Sequence, residues 1–313
     1  MLYLTVLVTG CGGDIGLGIG KILKMSGVAG SVVGCDIHSE HPAPQILDGF
    51  DIVLRAGTDG YFESMREVIN KRKVGLVIPT TEPELRFLAE NRLLDEMEGV
   101  PLVTANLKAL ETGLDKLATA ELLKANGMPY PWTKLVTDGP PPELPCIIKD
   151  RHGYGSKSIG VVEEGFAGYY AAKHPDGIWQ EYLRPDDEEY TCGVYRSNDG
   201  ETRVIAIKRR LQGGFTYYGE VVENTEIDAL LVKLAGALDL RGSINAQLRL
   251  TGRGPVIFEI NPRFSSTVVF RHMMGYRDLI WSVMEKAGRP LEPYTPPAAG
   301  TRFFRGSQEY ILK

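Results

Sequence analysis

The residue pattern changes rhythm near residue 146, and that change limits the folds open to this chain more than any other feature. Up to about residue 104, short Val/Ile-rich stretches at 4–8, 31–35, 51–54, 74–79 and 101–103 alternate with amphipathic helical patterns. Apolar strands separated by helix-length segments predict a parallel sheet covered on both faces. Ile15, Ile19, Ile22 and Leu23 share one helical face, and Thr81 with Glu84 predicts a capping box opening a helix that runs through Met97. A further helix is expected over 107–126, stopped by Gly127 and followed by a connector containing Pro140, Pro141 and Pro142. From Cys146 the pattern turns to hairpins. CIIKD, IGVVEE, VIAIKRR, INAQLRL and VIFEINP read as short strands suited to antiparallel pairing. The expected fold class is an α/β domain followed by an α+β region.

The chain has 313 residues, enough for two domains or one large α/β enzyme. A net charge of -5 without a basic run gives no footprint for nucleic acid or an anionic membrane, so small-molecule partners are expected. No apolar stretch approaches the ~20 residues of a membrane span. The first residues run straight into a strand pattern, and a cytoplasmic location is expected. Cys11, Cys35, Cys146 and Cys192 are widely spaced and read as reduced, buried thiols. His38 and His41, in HSEH, have no third ligand beside them and read as ordinary loop histidines.

The first strand leads into TGCGGDIG, from Thr9 to Gly16, which is similar to a dinucleotide-binding turn. Asp36 ends the second strand where an acid would bond a ribose, and Tyr169 with Lys173 offers a YxxxK pair. These features define the alternative reading, an NAD-dependent extended short-chain dehydrogenase-type epimerase or dehydratase acting on a nucleotide sugar. Against it, Tyr169 sits in a short segment ended by Pro175, not on the long helix that this chemistry needs. Glycines in such a turn are equally what close strand-to-helix packing requires.

The C-terminal half carries more demanding chemistry. On an extended strand Glu259 and Asn261 point to one face, and Gln247 on the preceding strand can reach it. One carboxylate and two amide oxygens suit Mg²⁺ sharing the phosphates of ATP, with Mn²⁺ able to substitute. This segment resembles the magnesium-binding strands of the ATP-grasp superfamily, in its carbamoyl-phosphate synthetase large subunit and biotin carboxylase branch.

The resemblance covers nearly the whole chain and implies a Rossmann-like pre-ATP-grasp domain over 1–106. An ATP-grasp fold of two α+β subdomains follows, a small lid subdomain over 107–184 and a C-terminal one carrying the Mg²⁺ site over 185–313. It implies that Lys116 and Lys149 are phosphate lysines, and that Gly153, Gly155, Ser156, Lys157 and Ser158 belong to a glycine-rich loop closing over phosphates. Glu181, Tyr182 and Leu183 would meet adenine, and Glu189 the ribose. Arg263 would hold the acyl substrate and the oxyanion, with Arg209 and Arg210 near substrate. The first turn is then expected to pack the first helix and face the second substrate.

Ser265, Ser266 and Thr267 stand where that branch carries a second arginine, so bicarbonate is not implied. The implied activity is that of a stand-alone carboxylate–amine, or carboxylate–thiol, ligase working through an acyl phosphate and releasing ADP and phosphate. Its partners would be a small-molecule carboxylate and an amine, and a homodimer is allowed.

Overall fold

The computed structural model describes residues 2–153 and 160–311. In the first third, β1 (Leu2–Thr9), α1 (Asp14–Ser26), β2 (Ala29–Asp36), α2 (Ala43–Ile46), β3 (Gly49–Ile52), α3 (Tyr61–Arg72), β4 (Val74–Ile78) and α4 (Glu82–Glu90) alternate as expected. The strands pair in parallel in the order β3-β2-β1-β4. Val6 and Val8 enter one core cluster and Leu7 the other, all fully buried, because helices cover both faces. A Cβ on Gly16 would lie 2.3 Å from the Gly10 carbonyl oxygen, so only glycine lets α1 start this close to the turn leaving β1.

Three local expectations fail for identifiable reasons. No capping box forms at Thr81: Glu84 turns inward, accepting from the Tyr61 hydroxyl at 2.8 Å and from the Thr9 hydroxyl. The helix expected through Met97 ends at Glu90, where the Asn91 side chain donates to the Phe87 carbonyl at 2.8 Å. The strand expected at 101–103 is reduced to one parallel bridge between Leu102 and Val77. Before it, β5 (Glu96–Met97) and β6 (Val100–Pro101) form a small hairpin, closed by Glu98 and Gly99 at φ 52° and 75°.

The helix expected over 107–126 is two helices, α5 (Leu107–Gly113) and α6 (Lys116–Ala125). Asp115 makes the break, accepting from the Leu117 and Ala118 N–H groups at 2.9 and 3.3 Å and so starting a new helix. There follow β7 (Thr133–Leu135), β8 (Cys146–Asp150), β9 (Gly160–Val162), α7 (Ala167–Lys173) and β10 (Gly177–Glu181). These strands form an antiparallel sheet in the order β7-β10-β8-β9.

The last part contains β11 (Glu189–Arg196), β12 (Thr202–Gln212), β13 (Phe215–Val222), α8 (Thr225–Ala237), β14 (Gly242–Thr251), β15 (Gly254–Asn261), α9 (Val268–Met273), α10 (Asp278–Lys286) and β16 (Arg302–Phe304). Its strands make an antiparallel sheet in the order β15-β14-β11-β12-β13-β16. Ile227, Leu231 and Leu234 of α8 cover one face by packing on Ile244, Ala246 and Leu248 of β14. The period-two alternation of β14 leaves Asn245 and Gln247 on the opposite face. Val268 of α9 and Leu279 and Val283 of α10 return to pack on Ile19 and Ile22 of α1, closing that polar face against the first domain.

Among the described residues no helix is long and apolar enough to cross a membrane. The four cysteines are free and buried, and burial pushes the Cys146 thiol up to about 11 and that of Cys192 to about 12.

Burial pushes the Glu84 carboxyl above the usual carboxylate range, against the Thr9 and Tyr61 hydrogen bonds that favour the anion. A carboxyl raised in the folded state holds its proton more tightly than the unfolded chain does. Its contribution to stability is therefore present in acid and lost as pH rises through the folded value. Glu84→Gln should match the parent protein's urea midpoint in acid and exceed it at neutral pH. A variant equally or less stable at neutral pH contradicts this account of Glu84.

Candidate functional site

Strand register builds the site. Asn245 pairs with Asn261 and Gln247 with Glu259 across β14 and β15, which puts four polar side chains on the sheet face turned from α8. Thr191 of β11 joins them, donating its hydroxyl to Asn245 Oδ1 at 3.0 Å. Immediately past Gln247 the register slips, leaving Phe258 of β15 without a partner. Such a bulge frees a backbone group from the ladder. Here the freed Phe258 carbonyl accepts from Lys149 Nζ at 3.4 Å.

The electrostatics follow from burial. Lys149 is 3% exposed, and burial lowers its pKa to about 8 while Glu259 opposes the shift. Burial would raise Glu259, but Lys149, Lys116, the Asn261 amide and Arg209 together outweigh it and hold the carboxyl below its usual range. Asn261 Nδ2 donates to Glu259 Oε1 at 3.1 Å. Arg263 Nη2 donates to Asn261 Oδ1 at 3.1 Å and to Glu82 Oε1 of α4 at 2.5 Å. Arg209 Nη2 spans Glu189 Oε1 at 2.7 Å and Gln247 Oε1 at 2.8 Å, and Arg249 Nη2 holds the second Glu189 oxygen at 2.6 Å.

A cavity of about 640 Å³ opens on this face. Gln247, Glu259, Asn261 and Arg263 line it, as do Arg209, Asn245 and Glu82; Gly10, Gly13 and Asp36 of the first domain form the opposite wall. Among the described residues, the other expected ones lie outside its lining. Lys116 opens α6 and donates to the Gly153 carbonyl, while the Asp115 cap is paired with Arg151 at 2.6 Å. Glu181 is paired with Arg253 at 2.6 Å, and Tyr182 stacks with Arg184 at 4.2 Å. Leu183 is buried, with its carbonyl accepting from Arg249 Nη1 at 2.6 Å. Arg210 stacks on Tyr218 at 5.1 Å. Gly155, Ser156, Lys157 and Ser158 fall outside the described residues.

Asn245 and Glu82 went unnoticed in the sequence. Asn245 stands two residues before Gln247, so the same period-two reading would have found it. Glu82 is one of two acids in the first turn of α4, and its ion pair with Arg263 reveals its place. The dehydrogenase features do not assemble. Tyr169 is 62% exposed, and Tyr170 packs under the β7-β10-β8-β9 sheet. Asp36 accepts from the Gly12 and Ile37 N–H groups at 2.8 and 2.7 Å.

Residues 6–103 match the PylC-like N-terminal domain, and residues 114–267 match the ATP-grasp domain. Among curated proteins, the chain is 31% identical over 236 residues to a D-alanine--D-alanine ligase of Rhodococcus opacus, covering 61% of this chain and 64% of that one. The corresponding ligase of Mycolicibacterium vanbaalenii is 26% identical over 235 residues, with the same coverage. The chain thus spans less than two thirds of the length of these relatives. Among solved structures, N5-carboxyaminoimidazole synthetase from Staphylococcus aureus, complexed with ADP, superposes with a TM-score of 0.75 at 15% identity, over 93% of this chain and 79% of that one. A biotin carboxylase from Campylobacter jejuni gives 0.72 at 13% identity, over 96% and 74%. These likenesses agree with the expected fold.

Arg209→Ala would leave Glu189 with one guanidinium in place of two and remove the partner of Gln247 Oε1. The expected cost is about 1–3 kcal/mol, read as a lower urea midpoint at unchanged slope. An unchanged midpoint would mean that the network adds nothing to stability.

Proposed function

Because the chain carries an ATP-grasp domain behind a PylC-like N-terminal domain, we propose that it is an ATP-dependent ligase. It joins a small-molecule carboxylate to an amine, or to a thiol, and releases ADP and phosphate. One observation carries this reading. A half-buried carboxylate held below its usual range, Glu259, stands among the amides of Asn245, Gln247 and Asn261, with the charges of Lys149 and Lys116 acting on it and Arg263 two residues beyond Asn261. We divide the chain at 106 and 184, and each part then holds one of the three main sheets.

Gln247, Glu259 and Asn261 offer only oxygen ligands, the donor set of Mg²⁺, which Mn²⁺ also accepts. Their fit to a cation is supported by what holds them now: guanidinium groups occupy Gln247 Oε1 and Asn261 Oδ1. When bound, the ion supplies charge neutralisation to the phosphates of ATP. Lys149 and Lys116 would add fixed positive charge on the same anion, and Lys149 is held ready by the Phe258 carbonyl. Glu181, Tyr182 and Leu183 would border the adenine and Glu189 the ribose, with Gly153 at the edge of the phosphate loop.

Arg263 would bind the carboxylate to be activated and then the oxyanion formed when the amine attacks. Its planar fork suits both. The Glu82 carboxylate already rests on that guanidinium, and a substrate carboxylate would take its place. The amine would approach from the wall formed by the first turn.

Arg263→Ala should keep ATP affinity while kcat falls at least ~100-fold, the loss expected when one preorganised donor to an oxyanion is removed. Lys149→Ala should instead weaken ATP binding. Calorimetry with an ATP analogue, together with ADP release screened over amino acids and sugar acids, separates the two roles. Lost ATP binding with normal kcat in Arg263→Ala would place the arginine on the nucleotide.

A further inference from the structure

The turn after β1 and the loop after β2 bring together three side chains that the ligase reading leaves unused. Cys11 lies in the turn, Asp36 ends β2, and His41 lies in the loop beyond it. Each offers one ligand atom, and the three atoms lie within 4.8 Å of one another. All three residues are buried, Cys11 completely and His41 with 7% exposure. In the sequence HSEH stands without a further ligand; the fold brings it a thiol and a carboxylate from two other segments.

The imidazole is set up for one more partner. His41 Nε2 donates to the His38 carbonyl at 2.9 Å and stands 4.0 Å from Asp36 Oδ2. With the proton on Nε2, Nδ1 keeps its lone pair, and it is buried without a hydrogen bond. The ring lies directly on Gly12, where a Cβ would come within 2.3 Å of His41 Cδ2. Asp36 is also fixed, its two oxygens accepting from the Gly12 and Ile37 N–H groups, and each keeps a lone pair.

We propose that Cys11, Asp36 and His41 form a binding site for a transition-metal cation, zinc above all, with the His38 ring as fourth ligand. Sulfur, imidazole nitrogen and carboxylate oxygen are the donors zinc takes, in tetrahedral array. At its bond lengths the donors stand about 3.3–3.8 Å apart, so the cluster has to close by about 1 Å. The His38 ring is exposed and lies 5.3 Å from that of His41, centre to centre. A divalent ion would also compensate a thiolate and a carboxylate buried side by side. It would tie the loop carrying His38 and His41 to the first turn. Asp36 lines the large cavity, so the ion would stiffen a wall of that cavity without entering it.

The full chain, reduced and stripped with chelator, is titrated with Co²⁺ in the absence of ATP and followed by absorption, which makes the outcome independent of ligase activity. A thiolate-to-cobalt charge-transfer band is expected, saturating at one ion per chain and bleached by Zn²⁺. Cys11→Ser should abolish the band. His41→Ala should weaken Co²⁺ binding by more than about 100-fold, beyond the loss caused by removing an outer hydrogen-bond partner. His38→Ala should weaken it less. Circular dichroism checks the fold of each variant, and if Cys11→Ser does not fold, the parent and His41→Ala decide. Absence of the band in the parent, its persistence in Cys11→Ser, or unchanged affinity in His41→Ala overturns the proposal.

Discussion

The half-buried carboxylate of Glu259 is held below its usual range because positive charge stands beside it, and much of the surrounding structure supplies that charge. Lys149 comes from β8, Lys116 from the start of α6 and Arg209 from β12, three segments far apart in the chain. The bulge at Phe258 turns a carbonyl toward Lys149 that a regular ladder would have used. The cost of burying an ammonium is thereby shared between a backbone oxygen and Glu259. Together the buried ammonium and the half-buried carboxylate make a site with strong local fields.

The second dependence is between domains. Arg263, just past the end of β15, is held by Glu82 at the start of α4, so the large sheet is fastened to the first domain in the wall of the cavity. Helices α9 and α10 fasten it again through apolar packing on α1. The cavity lies between two units pinned at these places. A ligand that took Arg263 would therefore compete with the Glu82 contact.

Much of this was legible in the sequence because it follows from period. Two-residue spacing put Glu259 and Asn261 on one face, and alternation of strand and helix patterns gave the parallel sheet. What was not legible came from contacts across the fold. The bulge at Phe258 depends on how β15 meets β14 and leaves no mark in either strand alone. Glu84 has the spacing of a capping box, yet a buried position beside Tyr61 and Thr9 decides its direction. The break at Asp115 had a visible cap residue, but the surrounding helical pattern hid it. Cys11, Asp36 and His41 come from three segments whose meeting depends on the sheet order.

The measurement that bears most directly on the account is calorimetric titration of a non-hydrolysable ATP analogue, with and without Mg²⁺, into the parent protein and Glu259→Gln. If Glu259 is the carboxylate around which cation and phosphates gather, the parent's affinity rises steeply with Mg²⁺ and the variant loses most of that dependence. Equal Mg²⁺ dependence in a folded Glu259→Gln variant would contradict the account, and the charge assembled around this residue would then serve only to hold the fold together.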